Sequence, residues 1–160
     1  MINSEEIRLR SFRDAHKEKA CAVIQGLGFV GAAMAAVLAG VINSNGVEQY
    51  CVVGVDQDTD SGMEKIDNVR NGVCPIVSTD KDLELLYKTA GLRGNLTATS
   101  SSVAYEIADV VVVDINLDVI KKVTNDGLDY EVCVDVFLAA TLDIVQRIRF
   151  EHPQVKVVVI

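Results

Sequence analysis

The chain has 160 residues, a length that fits one domain and is short for two. Hydrophobic residues make up 49% of it and Trp is absent, a composition that suits buried parallel strands beneath closely packed helices. The formal net charge of −8 disfavours nucleic acid and membrane surfaces as partners, so a phosphate ligand would have to be held by backbone N–H groups and a helix dipole.

The first 18 residues, MINSEEIRLRSFRDAHKE, are charged throughout and lack the apolar segment of a signal peptide. We expect residues 1–18 to be a charged, solvated extension, with a short helix whose apolar contacts are Ile7, Leu9 and Phe12. No apolar run is long enough to span a membrane. The sequence therefore predicts a cytoplasmic protein with one domain over residues 19–160.

Strands and helices alternate along that domain. In chain order, the predicted elements are a strand at 19–24, a helix at 29–42, a turn at 43–49, a strand at 50–56, a helix at 61–69, a helix that begins at 78–80 and ends at Gly91, a strand at 96–99, a half-turn of helix at 101–108, a strand at 108–115, a helix at 129–150 and a strand at 154–160. The helix at 29–42 is apolar nearly all round, so we expect it to be deeply buried. Because the chain stops on a predicted strand, we expect a fragment of a longer protein.

This alternation predicts an α/β fold, in which a doubly wound parallel sheet is covered by helices on both faces. Its ligand crevice is expected at the carboxyl ends of the strands that end at Ile24, Val55 and Val113.

A glycine turn of the GxGxxG type follows the first predicted strand. Gly26 permits a sharp exit from the strand, Gly28 lets the backbone approach a pyrophosphate, and Gly31 lets the next helix pack closely on the strand. We expect the N–H groups of Phe29, Val30 and Gly31 to point at the phosphates. The turn predicts a dinucleotide site in a Rossmann-type fold.

An acidic residue, Asp56, ends the second predicted strand and supplies the other half of this pattern. Its carboxylate is placed to accept hydrogen bonds from the adenosine ribose hydroxyls and to repel a 2′-phosphate. No Arg or Lys nearer than Lys65 compensates its charge, which favours NAD over NADP. The alternative is a buried glycine turn with no ligand.

A calcium loop is a competing interpretation of residues 56–67, DQDTDSGMEKID, because acids stand at its first, third and fifth positions. The glycine is one place late, at Gly62, and the twelfth residue is Asp67 where an EF-hand loop has Glu. A strand also precedes the loop where a helix is required. We therefore prefer the ribose interpretation of Asp56.

The four cysteines, Cys21, Cys51, Cys74 and Cys133, form no CxxC pair and have no nearby His to complete a metal site. We expect reduced thiols and no bound metal.

Four segments carry a family resemblance from about residue 20 to the end. They are QGLGFVGAAMAAVLA, VVGVDQD, KIDNVRNGVCPI and LTATSSSVAYEIADVVVV. Together they resemble the N-terminal domain of nucleotide-sugar 6-dehydrogenases, the UDP-glucose/GDP-mannose dehydrogenase family. The resemblance implies an enzyme of polysaccharide biosynthesis that oxidises the C6 alcohol of a UDP- or GDP-sugar to a uronic acid, passing two hydrides to two NAD molecules in turn.

The resemblance also implies a set of cofactor-binding residues. They are Gly26, Leu27, Gly28, Phe29, Val30, Gly31, Asp56, Gln57 and Thr99. The family's catalytic cysteine lies downstream of this stretch and none of the four cysteines here matches it, so no catalytic residue and no turnover by this chain alone are expected. The nucleotide sugar would bind through the missing part, and a homodimer is possible.

The segment after Val113 departs from the family, which carries a Thr-Pro loop over the cofactor there. This chain reads DINLDVIKK, and Asp114 would place a carboxylate at the expected crevice. Two interpretations stay open: a divergent loop that contacts the cofactor through its backbone, and a non-catalytic Rossmann module that binds a nucleotide or acts in assembly. A methyltransferase is a weaker third, because its glycine turn is typically less regular.

Overall fold

A computed structural model of the chain describes residues 4–115, 120–123 and 130–160. The strands are β1 (Ala20–Gln25), β2 (Tyr50–Val55), β3 (Leu96–Thr99), β4 (Val110–Val113), β5 (Ile120–Val123), β6 (Tyr130–Cys133) and β7 (Lys156–Val159). The helices are α1 (Ser4–Ala15), α2 (Phe29–Gly40), α3 (Asp60–Arg70), α4 (Lys81–Arg93), α5 (Val103–Glu106) and α6 (Asp135–Glu151).

Five strands form one parallel sheet in the order β3-β2-β1-β4-β7, and β5 pairs with β6 in a separate antiparallel ribbon. Parallel neighbours need crossover connections, which the helices supply. Because β1 lies between β2 and β4, the chain winds in opposite directions from the centre of the sheet. The predicted α/β fold, Rossmann-type with a doubly wound parallel sheet, is confirmed.

Alternating side chains on the strands divide the core into two clusters, one on each face of the sheet. The first cluster includes Ala22, Ile24 and Val52 with side chains of α2, α3 and α4. The second includes Cys21, Val23 and Val53 with side chains of α1, α5 and α6. The apolar runs of β1 and β2 are therefore buried on both faces, as predicted for central parallel strands.

Helix α1 belongs to the second layer of helices. Leu9 is fully buried in the second cluster and Phe12 packs against it. Ile7 is 55% exposed, so its predicted contact is wrong. The Arg8 guanidinium donates a hydrogen bond to the carbonyl oxygen of Ala98 at 2.9 Å and so attaches the helix to β3.

Helix α2 ends at Gly40 rather than at the predicted Ile42, and it is not buried all round. The side chains of Phe29, Val30 and Val37 are 73%, 54% and 55% exposed. The small residues of the opposite side lie on the sheet: Gly31, Ala32, Ala35, Ala36 and Ala39. A helix that is apolar at nearly every position carries no periodic signal of which side faces solvent, so its burial was overestimated.

Helix α4 begins after Asp80, as predicted, and the Asp80 carboxylate accepts two backbone N–H groups at 2.9 and 3.3 Å. It ends at Arg93 rather than at Gly91, because Gly94 takes the left-handed conformation that closes the helix. A Cβ on Gly91 would lie 2.8 Å from the Cα of Gly72. Gly91 therefore permits a close backbone contact instead of ending the helix.

The helix predicted at 129–150 begins later than expected, at Asp135, because residues 130–133 form β6. Tyr and Val in this stretch favour a strand as much as the apolar spacing favours a helix. Residue 129 lies outside the described residues. The predicted strand at 108–115 is shorter, spanning Val110–Val113. No helix in the described part of the chain is long and apolar enough to cross a membrane.

Candidate functional site

A cleft of about 220 Å³ opens at the carboxyl ends of β1, β2 and β4. Its lining is Gln25, Gly26, Leu27, Gly28, Asp56, Gln57, Lys65, Asp114, Ile115 and Ile144. This is the position where the winding of the sheet reverses and where open α/β sheets bind their ligands. Five of the nine predicted cofactor residues line the cleft, namely Gly26, Leu27, Gly28, Asp56 and Gln57.

The glycine turn is built so tightly that side chains are excluded at two of its positions. Gly26 has a φ of 100°, and a Cβ on it would lie 1.8 Å from the carbonyl oxygen of Asp114. A Cβ on Gly31 would lie 2.0 Å from the carbonyl oxygen of Gly26. The Gly26 N–H donates to the carbonyl oxygen of Val55 at 2.8 Å, which joins the turn to β2. The backbone therefore requires glycine at both positions.

The first N–H groups of α2 differ in what they contact. Those of Phe29 and Val30 have no hydrogen-bond acceptor among the residues that the structure describes, and they lie at the positive end of the helix dipole. The N–H of Gly31 instead donates to Oδ2 of Asp114 at 2.6 Å. The third N–H, which we expect to point at a phosphate, thus donates to a carboxylate in this structure.

Asp56 is held in one orientation at the end of β2. Its Oδ2 accepts the N–H of Leu27 at 3.1 Å, and its Oδ1 accepts the N–H of Gln57 at 2.8 Å. Lys65 of α3 lies 3.2 Å from Oδ2 through its Nζ and forms an ion pair with it. Lys65 thus offsets the negative charge of Asp56, although the two residues are nine positions apart in sequence. The first turns of α3, about one and a half, place the Lys65 side chain beside the cleft.

The stretch interpreted as a possible calcium loop is a helix start. Thr59 is the N-cap of α3, and its Oγ1 accepts the N–H of Gly62 at 3.1 Å. A Cβ on Gly62 would lie 2.0 Å from the carbonyl oxygen of Gln57, so close packing explains this glycine. Within the described residues, no group of three His, Cys, Asp or Glu side chains is arranged to hold a metal ion.

Thr99 does not line the cleft, although the family resemblance places it near the cofactor. Its buried hydroxyl donates to Oε1 of Glu5 at 2.6 Å and accepts the N–H of Ser101 at 3.0 Å. Glu5 also forms ion pairs with Arg8 at 2.6 Å and Arg70 at 2.8 Å. The hydrogen bond from Arg8 is the largest cause that lowers the pKa of Glu5 to about 2. The hydroxyl thus fastens α1 to the end of β3.

Four residues of the cleft lining were not among the predicted site residues, namely Gln25, Lys65, Ile115 and Ile144. Gln25 is the last residue of β1, and its Oε1 accepts a hydrogen bond from the Tyr105 hydroxyl. Burial raises the pKa of Tyr105 to about 12, so this group stays a donor at neutral pH. Ile144 reaches the cleft from α6. The position of Gln25 directly before Gly26 was a usable signal, whereas nothing local marks Ile144.

The cysteines contribute nothing to the cleft in the described part of the chain. Cys21 and Cys51 are fully buried and lie opposite each other on β1 and β2. Cys74 is partly buried on the segment between α3 and α4, away from the cleft lining. The side chain of Cys133 lies outside the described residues.

The fold is shared with solved structures of nucleotide-sugar dehydrogenases. An NDP-N-acetyl-D-galactosaminuronic acid dehydrogenase from Methanosarcina mazei Go1 matches 94% of this chain with a TM-score of 0.64 and 20% identity. A GDP-mannose dehydrogenase from Pseudomonas aeruginosa matches 86% with a TM-score of 0.60 and 24% identity. A UDP-glucose dehydrogenase from Pyrobaculum islandicum matches 88% with a TM-score of 0.56 and 22% identity. At these identities the likeness establishes the fold.

The matched region is a minor part of each of those proteins. This chain spans 29%, 27% and 29% of their respective lengths. No protein-family model matches the chain, and no curated protein sequence matches it.

Proposed function

We propose that the chain is the NAD-binding domain of a nucleotide-sugar 6-dehydrogenase. The observation that carries the proposal is the cleft, where a glycine turn that admits no side chain at Gly26 or Gly31 faces the fixed carboxylate of Asp56. The shared fold with three nucleotide-sugar dehydrogenases supports it. The four segments that resemble this family contain the turn and Asp56.

The residues present fit a dinucleotide. Asp56 would accept hydrogen bonds from the adenosine ribose hydroxyls with the lone pairs that Leu27 and Gln57 leave free. The N–H groups of Phe29 and Val30 would donate to the pyrophosphate, since they have no other acceptor among the described residues. When bound, NAD accepts the hydride removed from the sugar.

The ion pair between Lys65 and Asp56 changes the expected selectivity between cofactors. Since Lys65 offsets the negative charge of Asp56, repulsion of a 2′-phosphate is weaker than the sequence alone suggested. The carboxylate still has no hydrogen to donate to that phosphate. We propose that NAD is preferred over NADP by a modest ratio rather than exclusively.

In the whole enzyme, the proposed reaction oxidises the C6 alcohol of a UDP- or GDP-sugar to a uronic acid with two NAD. This chain supplies no catalytic residue, and the nucleophilic cysteine, the sugar contacts and a dimer interface belong to the remaining part. The isolated chain is therefore expected to bind NAD without turnover. Such an enzyme would act in the cytoplasm, in polysaccharide biosynthesis.

Calorimetric titration of the purified chain with NAD and NADP tests the proposal. We expect saturable NAD binding, weaker NADP binding and a loss of about tenfold to a hundredfold in NAD affinity for Asp56→Ala, the range for hydrogen bonds to a charged group. Asp58→Ala is the matched control, since Asp58 is exposed and does not line the cleft. A folded chain that binds no NAD, or an Asp56→Ala variant that binds it unchanged, would contradict the proposal.

The contact between Asp114 and Gly31 favours a second candidate, a non-catalytic Rossmann module. A carboxylate on the third N–H of α2 leaves less of the helix N-terminus available to a pyrophosphate. A folded chain that binds adenosine but neither NAD nor ADP-ribose would favour this candidate over a dehydrogenase domain.

A further inference from the structure

The backbone around Asp114 fixes the direction of its side chain. Its N–H donates to the carbonyl oxygen of Gln25 at 2.8 Å, which continues the β1–β4 pairing by one residue. The carbonyl oxygen of Asp114 lies against the Cα of Gly26, so close that there is room for the glycine hydrogen but not for a Cβ. The carboxylate is directed at the start of α2, where Oδ2 accepts the Gly31 N–H at 2.6 Å.

This carboxylate has the charge and the contact that a bound phosphate would have. Hydrogen bonds between a backbone N–H and a carboxylate are shorter and stronger than neutral ones, and the helix dipole adds to the attraction. Lys65 is the only Lys or Arg among the described residues that lines the cleft, and it pairs with Asp56. A phosphate that approaches the N-terminus of α2 is therefore repelled by the Asp114 carboxylate, and no unpaired Lys or Arg of the described cleft lining offsets this repulsion.

We infer that Asp114 is an internal anion that competes with phosphate groups for the N-terminus of α2 and so sets the affinity of the cleft for phosphate-bearing ligands. The inference rests on the proposed function, since the ligand it concerns is the dinucleotide of that proposal. The uncharged adenosine part of the ligand, which Asp56 would hold at β2, is outside the reach of this competition.

The test compares the 160-residue chain with Asp114→Asn by calorimetric titration with NAD. Asn keeps an oxygen that accepts the Gly31 N–H but has no charge. We expect the NAD dissociation constant to fall at least tenfold, equivalent to about 1.4 kcal/mol. The dissociation constant for adenosine, which has no phosphate, is expected to stay the same.

Asp109→Asn is the matched control. The Asp109 carboxylate also accepts a backbone N–H, that of Cys21 at 2.7 Å, but it precedes β4 and so lies at the amino ends of the strands, away from the cleft. Removing this charge is expected to leave NAD affinity unchanged. A general effect of net charge would change the affinity of both variants alike, and would overturn the inference.

Salt provides a second readout that a purely structural role would not change. Repulsion between Asp114 and a phosphate is screened by ions, so the ratio of the two NAD dissociation constants is expected to narrow as salt rises to about 0.5 M. A ratio that stays constant over this range would overturn the electrostatic competition.

The remaining outcomes separate the inference from the proposed function. Equal NAD affinity in the wild type and Asp114→Asn, or weaker binding in the variant, overturns the inference and leaves the NAD-binding domain intact. Absence of NAD binding in the wild type, Asp114→Asn and Asp114→Ser, each shown folded by circular dichroism, overturns both. Asp114→Ser replaces the Asn variant if that one fails to fold, with the same expected gain.

Discussion

The two edges of the parallel sheet differ in how completely their side chains are covered. On the β3 side, β2 and β3 are buried at nearly every position beneath α1, α3 and α4. On the other side, β7 leaves Val158 and Val159 each 46% exposed, and α6 leaves Leu138 and Leu142 more than half exposed. Asp56 thus lies in the tightly packed half, whereas the glycine turn lies at the centre of the sheet, between Val55 of β2 and Asp114 after β4.

We expect the largest loss of stability from a substitution in the glycine turn. Gly26→Ala places a Cβ 1.8 Å from the Asp114 carbonyl oxygen at a φ of 100°, so the turn must open. We expect a loss of more than about 4 kcal/mol in the free energy of unfolding, measured by urea denaturation, or no folding at all.

Gly46→Ala is the control for the Gly26 variant. Its φ is 75°, also in the left-handed region, but nothing lies within 4 Å of a Cβ placed there. Only the conformational strain remains, about 1 to 2 kcal/mol. Equal losses at the two glycines would show that the close contacts of the turn add nothing to stability.

Truncation of one apolar residue in each half sharpens the comparison. Ile66 of α3 is fully buried in the first cluster, whereas Leu142 of α6 is 55% exposed. We expect Ile66→Ala to lower the free energy of unfolding by about 3 kcal/mol and Leu142→Ala by less than about 0.5 kcal/mol. A large loss at Leu142 would mean that the second half is covered in solution, for instance by self-association, which sedimentation would detect.

The N-terminal helix is expected to behave as part of the tightly packed half. Leu9→Ala removes a fully buried side chain and should cost about 2 to 3 kcal/mol in thermal or urea unfolding. Ile7→Ala, at a 55% exposed position of the same helix, should cost less than about 0.5 kcal/mol. If both changes are silent, residues 1–18 are the solvated extension that their charge suggests.

The smallest effect concerns the pH dependence of the contact between α1 and β3. The folded-state pKa of Glu5, about 2, is below its usual 4.5, chiefly because of the hydrogen bond from Arg8. Glu5 therefore contributes stability above about pH 4.5, and this contribution is lost as the pH falls toward 2. Because the group is partly exposed, Glu5→Gln should cost only about 1 kcal/mol at pH 7.

Unfolding curves of the wild type and Glu5→Gln between pH 7 and pH 2 measure this contribution, and the gap between them should close at the acidic end. Glu18→Gln, at an exposed position outside α1, is the control and should show no gap. A gap that persists unchanged at the lowest pH would contradict the assigned ion pairs.

Features with a local physical cause were predictable from the sequence. β1 and β2 are continuous apolar runs. The turn between β1 and α2 has two local reasons for glycine, the φ of 100° at Gly26 and the closeness of Gly31 to the Gly26 carbonyl oxygen. Asp56 follows from the end of an apolar strand. Asp80 could be read as a helix start because its side chain caps the residues directly after it.

Features set by contacts between distant residues were not predictable. The hydroxyl of Thr99 is taken by Glu5, 94 residues away in the chain, and the N–H of Gly31 by Asp114, 83 residues away. Neither pairing has a periodic or compositional signal. The prediction that α4 ends at Gly91 was wrong for the same reason. Gly91 lies inside the helix because of a tertiary contact with Gly72 that leaves no room for a side chain.

Cys21 and Cys51 lie opposite each other on neighbouring strands, so the rate at which their thiols are alkylated reports how often the sheet opens. Both thiols are fully buried, so an alkylating reagent has no path to either of them while the sheet is closed. At Cys21, the hydrogen bond with the Cys51 thiol and burial also raise the pKa, which lowers the thiolate fraction of that side chain. Cys74, which is partly exposed, is expected to react without such opening. The alkylation rate of each cysteine can be measured on the peptide that contains it. The ratio of the rates of the buried thiols to that of Cys74 therefore measures how often β1 and β2 separate next to the glycine turn.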